Sequence, residues 1–429
     1  MSDMRWPGDQ LQRWRDADHL RQLIGRRLAT PEGQKGLSIH LDIAAGDGQS
    51  FFLNRLREDL QALNHPVAFL DATRDQAAGD PLIALTGALV GALMPQVTNK
   101  ASRTALEAIP ATIATLINPQ SADEGQPLRR LIARAQAADQ LGRQLGQVIG
   151  HLPRASRQKG ARMPVFLLID GVDACRPLYA VSLIERVRHV LALPELVTIM
   201  VADGHELGRM AGIVQGEGVD PARFFNRLFD LRHAPPRTET RTYVEARLPP
   251  EVSSDPRLYV FESHPVDYLT GASESFGLSL SEIEQGLAIL ADIVRNWTVP
   301  VPIELGALWP LIAGHVRGLR LSLDDDFIDR LMARANMPGA RAPKLVRFSF
   351  FGAEEAVSAA ELFADYAAAA ANPIAQGLSG EITHIASIVR ARLADEYLIL
   401  HRARGDGGAR SLIADYPGIV LSAGRLPEL

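Results

Sequence analysis

The sequence predicts an α/β protein, with a core of five mostly parallel strands, a helical insertion within it and a helical C-terminal region after it. Three stretches carry that prediction. Leu37 to Asn54, LSIHLDIAAGDGQSFFLN, alternates apolar and polar residues, turns on glycines and continues at helical spacing. Val67 to Leu70 reads as a second strand, and Val165 to Asp170, VFLLID, as a buried third strand that ends in a carboxylate. Strands alternating with helices require crossover connections, and crossovers build parallel sheets.

Composition bounds the answer. A chain of 429 residues, 47% hydrophobic and 22% charged, is long enough for two or three domains with cores of their own. The single Cys175 excludes an intramolecular disulfide and fits a reducing compartment. The N-terminus, MSDMRWPGDQLQRW, lacks the apolar region of a signal peptide, and the most apolar window, Pro81 to Pro95, is too short for a bilayer. The expectation is a cytoplasmic protein with no membrane span. A net charge of -5 gives no global attraction to nucleic acid or anionic lipid.

In chain order, Gln10 to Thr30 has the spacing of one packing helix. Leu37, Ile39, Leu41 and Ile43 then alternate with Ser38, His40 and Asp42, and Gly46 and Gly48 form the turn. His40 reads as a hydrogen-bonded strand residue rather than a ligand. Set against the phosphate-loop pattern G-x-x-x-x-G-K-[ST], the window is Ile43 to Ser50. Gly48 and Ser50 match; Ile43 stands for the first glycine and Gln49 for the lysine. Gly46, Gly48, Gln49 and Ser50 are thus candidate nucleotide contacts through backbone amides and a hydroxyl. From Ser50 a helix runs through Leu53, Leu56, Leu60 and Leu63 and stops at Asn64-His65-Pro66.

A helical excursion from Pro81 to His151 follows, with a polar break at Asn118 to Gly125. Its basic tail, Arg154, Arg157, Lys159 and Arg162, has no acid between its members and reads first as a solvated linker, second as a patch for phosphates or an acidic partner. Asp170 then closes a strand of Walker B shape, whose carboxylate holds magnesium in an active NTPase. The next residue, Gly171, cannot supply the acid that polarises attacking water.

The continuation GVDACRP, Gly171 to Pro177, resembles the KAP family of P-loop NTPases, whose pattern D-[DE]-L-D-R-C-x-P is matched by Asp170, Asp173, Cys175 and Pro177. The likeness extends through Leu196 to Asp203, Arg223 to Leu231 and Phe276 to Glu284, and covers 37–296 discontinuously. It implies a P-loop NTPase core and ATP with magnesium as cofactors, with Ser50 and Asp170 as metal-holding residues and Asp173 beside them. The departures, Ile43, Gln49, Gly171, Ala174 and Ser281, fall where the family contacts nucleotide, and Asp47 adds a carboxylate inside the loop. Loss of the lysine removes a charge-assisted hydrogen bond of about 1.5–3 kcal/mol. The expectation is a degenerate NTPase with no catalytic residues assigned, acting on a protein partner as an interaction or regulatory subunit. The resemblance suggests a bacterial defence system or mobile element as its setting. Two alternatives stay open: an active ATPase in which an arginine such as Arg227, or one from another copy in a homo-oligomer, replaces Gln49, and a nucleic-acid-binding module using the basic tail.

Past Ala234-Pro-Pro236 the pattern is mostly helical. Thr238 to Leu248 predicts a helix, Pro249 to Pro256 a loop, and Ser279 with Glu282 a capping box for a helix through Val294. Ser322 with Asp325 predicts a helix to Met337, with Asp324, Asp325 and Asp326 complementing its dipole rather than holding a metal. Lys344 to Phe351 reads as extended, and Glu354 to Ala371 and Glu381 to His401 as helices. The expected segments are 1–80 and 163–236 for the two parts of the core, 81–162 for the insertion, 237–340 for a helical lid-like domain and 341–429 for a helical C-terminal region.

Overall fold

The protein is described here from a computed structural model, which describes residues 6–31, 35–117, 127–152, 164–216, 218, 220–236, 239–260, 264–324, 326–334, 345–350, 353–371, 385–404 and 410–422. The chain forms two compact units, Met1–Pro236 and Arg237–Leu429.

In the first unit, helix α1 (Trp14–Leu28) precedes strand β1 (Leu37–Asp42), and α2 (Gln49–Ala62) returns the chain to β2 (Val67–Asp71). The short α3 (Ala72–Asp75) and the long α4 (Pro81–Leu93), α5 (Lys100–Ile117) and α6 (Pro127–Gly150) separate β2 from β3 (Val165–Asp170). Then follow α7 (Pro177–Val190), β4 (Leu196–Ala202), α8 (Gly204–Gln215), α9 (Pro221–Leu228) and β5 (Leu231–His233). The sheet order is β2-β3-β4-β1-β5, and every pair is parallel. The predicted five-stranded α/β core with its helical insertion is therefore present.

Each strand face meets helices, which explains the runs of apolar residues. Ile39 and Leu41 of β1, Phe166 and Leu168 of β3 and Val197, Ile199 and Val201 of β4 pack with Phe52, Leu53, Leu56 and Leu60 of α2 and with Leu20 and Ile24 of α1. Val165, Leu167 and Ile169, one residue out of step, face the opposite way into a cluster with α4, α5, α6, α7, α8 and α9. Two polar positions of β1 are buried too: Ser38 bonds Asp230 through its hydroxyl at 2.8 Å, and His40 bonds the Ala202 carbonyl through Nε2 at 3.1 Å. Because a carbonyl only accepts, the neutral His40 ring carries its proton on Nε2.

The second unit holds α10 (Thr240–Arg247), α11 (Pro250–Ser253), β6 (Leu258–Tyr259), α12 (Pro265–Ser275), α13 (Leu280–Asn296), β7 (Ile303–Glu304), α14 (Leu305–Val316), α15 (Phe327–Ala333), β8 (Leu345–Phe350), β9 (Ala353–Ser358), α16 (Ala359–Ala371), α17 (Ile385–Arg404) and α18 (Tyr416–Leu421). β6 and β7 pair in parallel, and β8 and β9 pair antiparallel. Ten consecutive residues of α14, Leu305 to Gly314, are buried, so this helix is the unit's centre. Ser279 and Glu282 cap α13 reciprocally, as their spacing predicts.

Three expectations are corrected. The residues from Glu354 to Ser358 are strand, not helix, because β8 takes them as its partner; α16 starts at Ala359, where the Ser358 hydroxyl and the Glu361 carboxylate cap each other. The helix expected from Ser322 begins at Phe327, since the Ser322 hydroxyl and the Asp324 carboxylate are engaged by the Arg330 guanidinium. The loop expected over Pro249 to Pro256 contains the turn of α11. The polar break at Asn118 to Gly125, the basic tail from Arg154 to Arg162 and Asp325 lie outside the described residues. Among the described residues, no single helix is long and apolar enough to cross a membrane.

Candidate functional site

The five parallel strands of this sheet end on one edge, and three of them close with a carboxylate. Asp42 ends β1, Asp71 ends β2 and Asp170 ends β3, with Asp71 and Asp170 opposite one another in register. Asp203 follows β4 immediately. Because β4 lies between β1 and β3, the loops after β1 and β3 meet over its end. This carboxyl edge is where parallel α/β sheets hold ligands.

The turn after β1 is built by two glycines in the left-handed region, Gly46 at φ 85° and Gly48 at φ 87°, a conformation that side chains with a Cβ disfavour. Gly48 is the N-cap of α2, so amides of the first turn that begins at Gln49 lack intrahelical acceptors and face an anion site with the positive end of the helix dipole. The loop is fastened from behind by the Ala45 amide, which donates to Asp203 Oδ2 at 3.0 Å. Asp203 Oδ1 meanwhile caps α8 through the His205 and Glu206 amides.

Gln49 occupies the lysine position and points into the protein. Its Nε2 donates to the Ile43 carbonyl and to Asp173 Oδ2, both at 2.7 Å. Asp173 Oδ2 also accepts from the Asp203 amide at 2.8 Å. Gln49, Asp173 and Asp203 thus form one knot that ties the loops after β1, β3 and β4. Both donors of a neutral amide are engaged there, and neither is left for a phosphate oxygen.

Ser50, one residue on, is exposed, and its hydroxyl donates to the Asp170 carboxylate. Burial pushes the Asp170 carboxyl above its ordinary value, the Asp71 and Asp173 charges add to that rise, and the bond from Ser50 opposes it. The predicted site residues are therefore gathered in two pairs, Gln49 with Asp173 and Ser50 with Asp170, around Gly46 and Gly48. Arg227 is exposed on α9, and among the described residues it makes no bond to this edge. Arg232, on β5, donates instead to Asp42, whose other oxygen takes the Gly204 amide at 2.8 Å.

Gly171 differs from a simple loss of an acid. Its φ is 70°, and a Cβ built there would overlap the Thr73 hydroxyl oxygen. That hydroxyl donates to the Gly171 carbonyl at 3.1 Å, and Gln76 extends the latch from the Thr73 carbonyl to the Arg176 amide. A side chain at position 171 would therefore have to displace the Thr73 hydroxyl.

Sequence reasoning left out Asp42, Asp203 and Thr73. The first two had a signal, since a carboxylate closing a strand of a parallel sheet falls on the ligand edge. Thr73 had none, because its role depends on the β2–β3 register.

P-loop NTPases bind nucleotide with magnesium, and the edge fits that group in part. The two glycines, the α2 N-terminus and the Ser50–Asp170 pair suit a phosphate and its metal, which would neutralise phosphate charge. Gln49 and Gly171 do not fit the hydrolytic step. No curated protein matches the chain. Residues 18–218 match the KAP family P-loop domain, and over this stretch the chain is similar to that family of P-loop NTPases.

Proposed function

We propose that this protein is a KAP-family P-loop protein that no longer hydrolyses ATP and acts as an interaction or regulatory subunit toward a protein partner. The observation that carries the reading is Gly171. The acid is absent, and a residue with a side chain there meets both an unfavourable φ and the Thr73 hydroxyl, so restoring the acid would require Thr73 to move. The inward-turned Gln49 supports the same reading from the other side of the cradle. Retained phosphate binding is compatible with it, because the amides at the start of α2 and the Ser50–Asp170 pair do not depend on either position.

The test is a phosphate-release assay with magnesium and ATP, run beside calorimetric titration of ATP and ADP. The wild type is expected to release no phosphate above background. The double variant Gln49→Lys, Asp47→Ser is expected to gain nucleotide affinity, by about tenfold or more for the restored charged bond, and still to release none. Magnesium-dependent hydrolysis by the wild type that disappears in Asp170→Ala would refute the proposal.

A further inference from the structure

A second concavity lies away from the strand ends, within the helical insertion. α4 and α5 line a cavity of about 700 Å³, inside the range of about 300–1,000 Å³ usual for small-molecule sites. Ile83, Gly87 and Val90 of α4 and Ile109, Ile113 and Ile117 of α5 form its walls, each set recurring at three or four residues along one helix face. The other face of α4, Leu82, Leu85, Leu89 and Leu93, is buried in the core of the sheet's second layer. α4 is thus apolar on both faces, and Ile83 on the cavity side is 42% exposed. A surface helix ordinarily turns polar residues to that side.

The chemistry of the walls is restrictive. Two hydroxyls line the cavity, those of Thr86 and Thr115, and both are bonded within their own helices, to the carbonyls of Leu82 and Ala111. Among the described residues lining it there is no aromatic ring. A guest meets hydrocarbon without hydrogen-bonding groups and without a flat surface for stacking. Those walls suit a flexible aliphatic chain and penalise any polar atom held inside.

The Ile117 end carries a charge. Arg134 of α6 donates from Nη2 to the Ile117 carbonyl at 3.3 Å, its side chain is exposed, and among the described residues it has no carboxylate partner. A guanidinium has five donors, so the others remain for an anionic group at that end. We propose that the α4–α5 cavity binds a long-chain fatty acid, with its hydrocarbon tail along Ile83, Gly87 and Ile113 and its carboxylate at Arg134.

The experiment is fluorescence titration of the full chain with cis-parinaric acid, followed by displacement with palmitic acid and, separately, with hexadecanol. Gly87→Leu projects into the cavity, where its Cβ meets nothing within 4 Å, and it raises helix propensity. Ala114→Phe fills it from α5. Thermal unfolding of both variants checks that they fold. Saturable binding by the wild type, weakened about tenfold or more by each filling variant, is the expected result. Arg134→Gln should weaken palmitic acid several-fold and leave hexadecanol unchanged. No saturable binding by the wild type, or undiminished binding by a folded Gly87→Leu protein, overturns the site. An equal effect of Arg134→Gln on acid and alcohol overturns the placing of the carboxylate. Self-association in place of parinarate binding, abolished by Gly87→Leu, overturns the fatty acid in favour of a second copy of this chain.

Discussion

Asp173 shows how much of the carboxyl edge rests on one oxygen. Its Oδ2 accepts from Gln49 and from the Asp203 amide, so Asp173→Ala leaves two donors without their acceptor at once. Each such loss costs about 1–3 kcal/mol when the group cannot reach water, and partial exposure of this site places the sum near the low end, about 2 kcal/mol. Urea unfolding should read that loss, and an unchanged midpoint would mean that the knot contributes nothing to stability. Gly171→Ala should destabilise as well, through its φ of 70° and the Thr73 contact, while Gly171→Glu should do so without giving phosphate release. His40 sets a pH dependence. Burial holds its ring below the ordinary value of 6.5, although the bond to Ala202 and the Asp42 charge oppose that. The unfolded chain therefore takes up a proton below about pH 6.5 that the folded chain refuses, and stability falls as the pH is lowered through that value. His65 and His233 are lowered by burial in the same sense. The drop in unfolding free energy between neutral pH and about pH 5 should thus be smaller in His40→Gln than in the wild type. An equal drop in both proteins would remove His40 from the account.

At the scale of elements, the second unit is held by an ionic contact that no local pattern announces. Glu304, the residue before α14, is buried and takes two bonds from Arg392 of α17, at 2.9 and 2.7 Å, and one from the Tyr366 hydroxyl of α16, at 2.6 Å. The Arg392 guanidinium also lies over the Tyr259 ring of β6. Burial pushes the Glu304 carboxyl up, and Arg392 and Tyr366 pull it back. Removing one partner strands a buried charge, so Arg392→Met should lower the unfolding free energy of this unit by about 3–5 kcal/mol, whereas replacing both with apolar residues, Glu304→Leu with Arg392→Met, should recover much of that. A double variant as unstable as the single one would show that the tyrosines, not the charge, decide the outcome. Elements with their own signals were legible beforehand: the capping pair Ser279 and Glu282 fixes the start of α13 from sequence alone. β9 was not legible. Ala353, Glu354, Glu355 and Ala356 favour helix by intrinsic propensity, and only the pairing with β8 makes them strand.

For the whole molecule, the parallel core was legible because strands buried on both faces must be largely apolar, as Val165–Ile169 is throughout and Leu196–Ala202 is at every position but Thr198. The candidate site was legible as a set of positions, Gly46 to Ser50 and Asp170 to Asp173, but not as a mechanism, since the direction of Gln49 and the crowding at Gly171 depend on contacts with Asp173 and Thr73 far away in sequence. The division into Met1–Pro236 and Arg237–Leu429 has its own consequence. Among the described residues, both apolar clusters that flank the sheet draw every member from before Pro236, including the helices of the insertion. A chain ending at Pro236 therefore keeps all of that buried surface, and domains with a core of their own fold alone. Expressed by itself, 1–236 should unfold cooperatively in urea, with a midpoint close to that of the corresponding transition in the full chain. Limited proteolysis of the full protein should leave a stable fragment ending near that residue. A truncated chain that has helical content but unfolds without a cooperative transition would show that the second unit completes the fold of the first. Such a result would transfer the Asp173 and His40 predictions to measurements on the full chain.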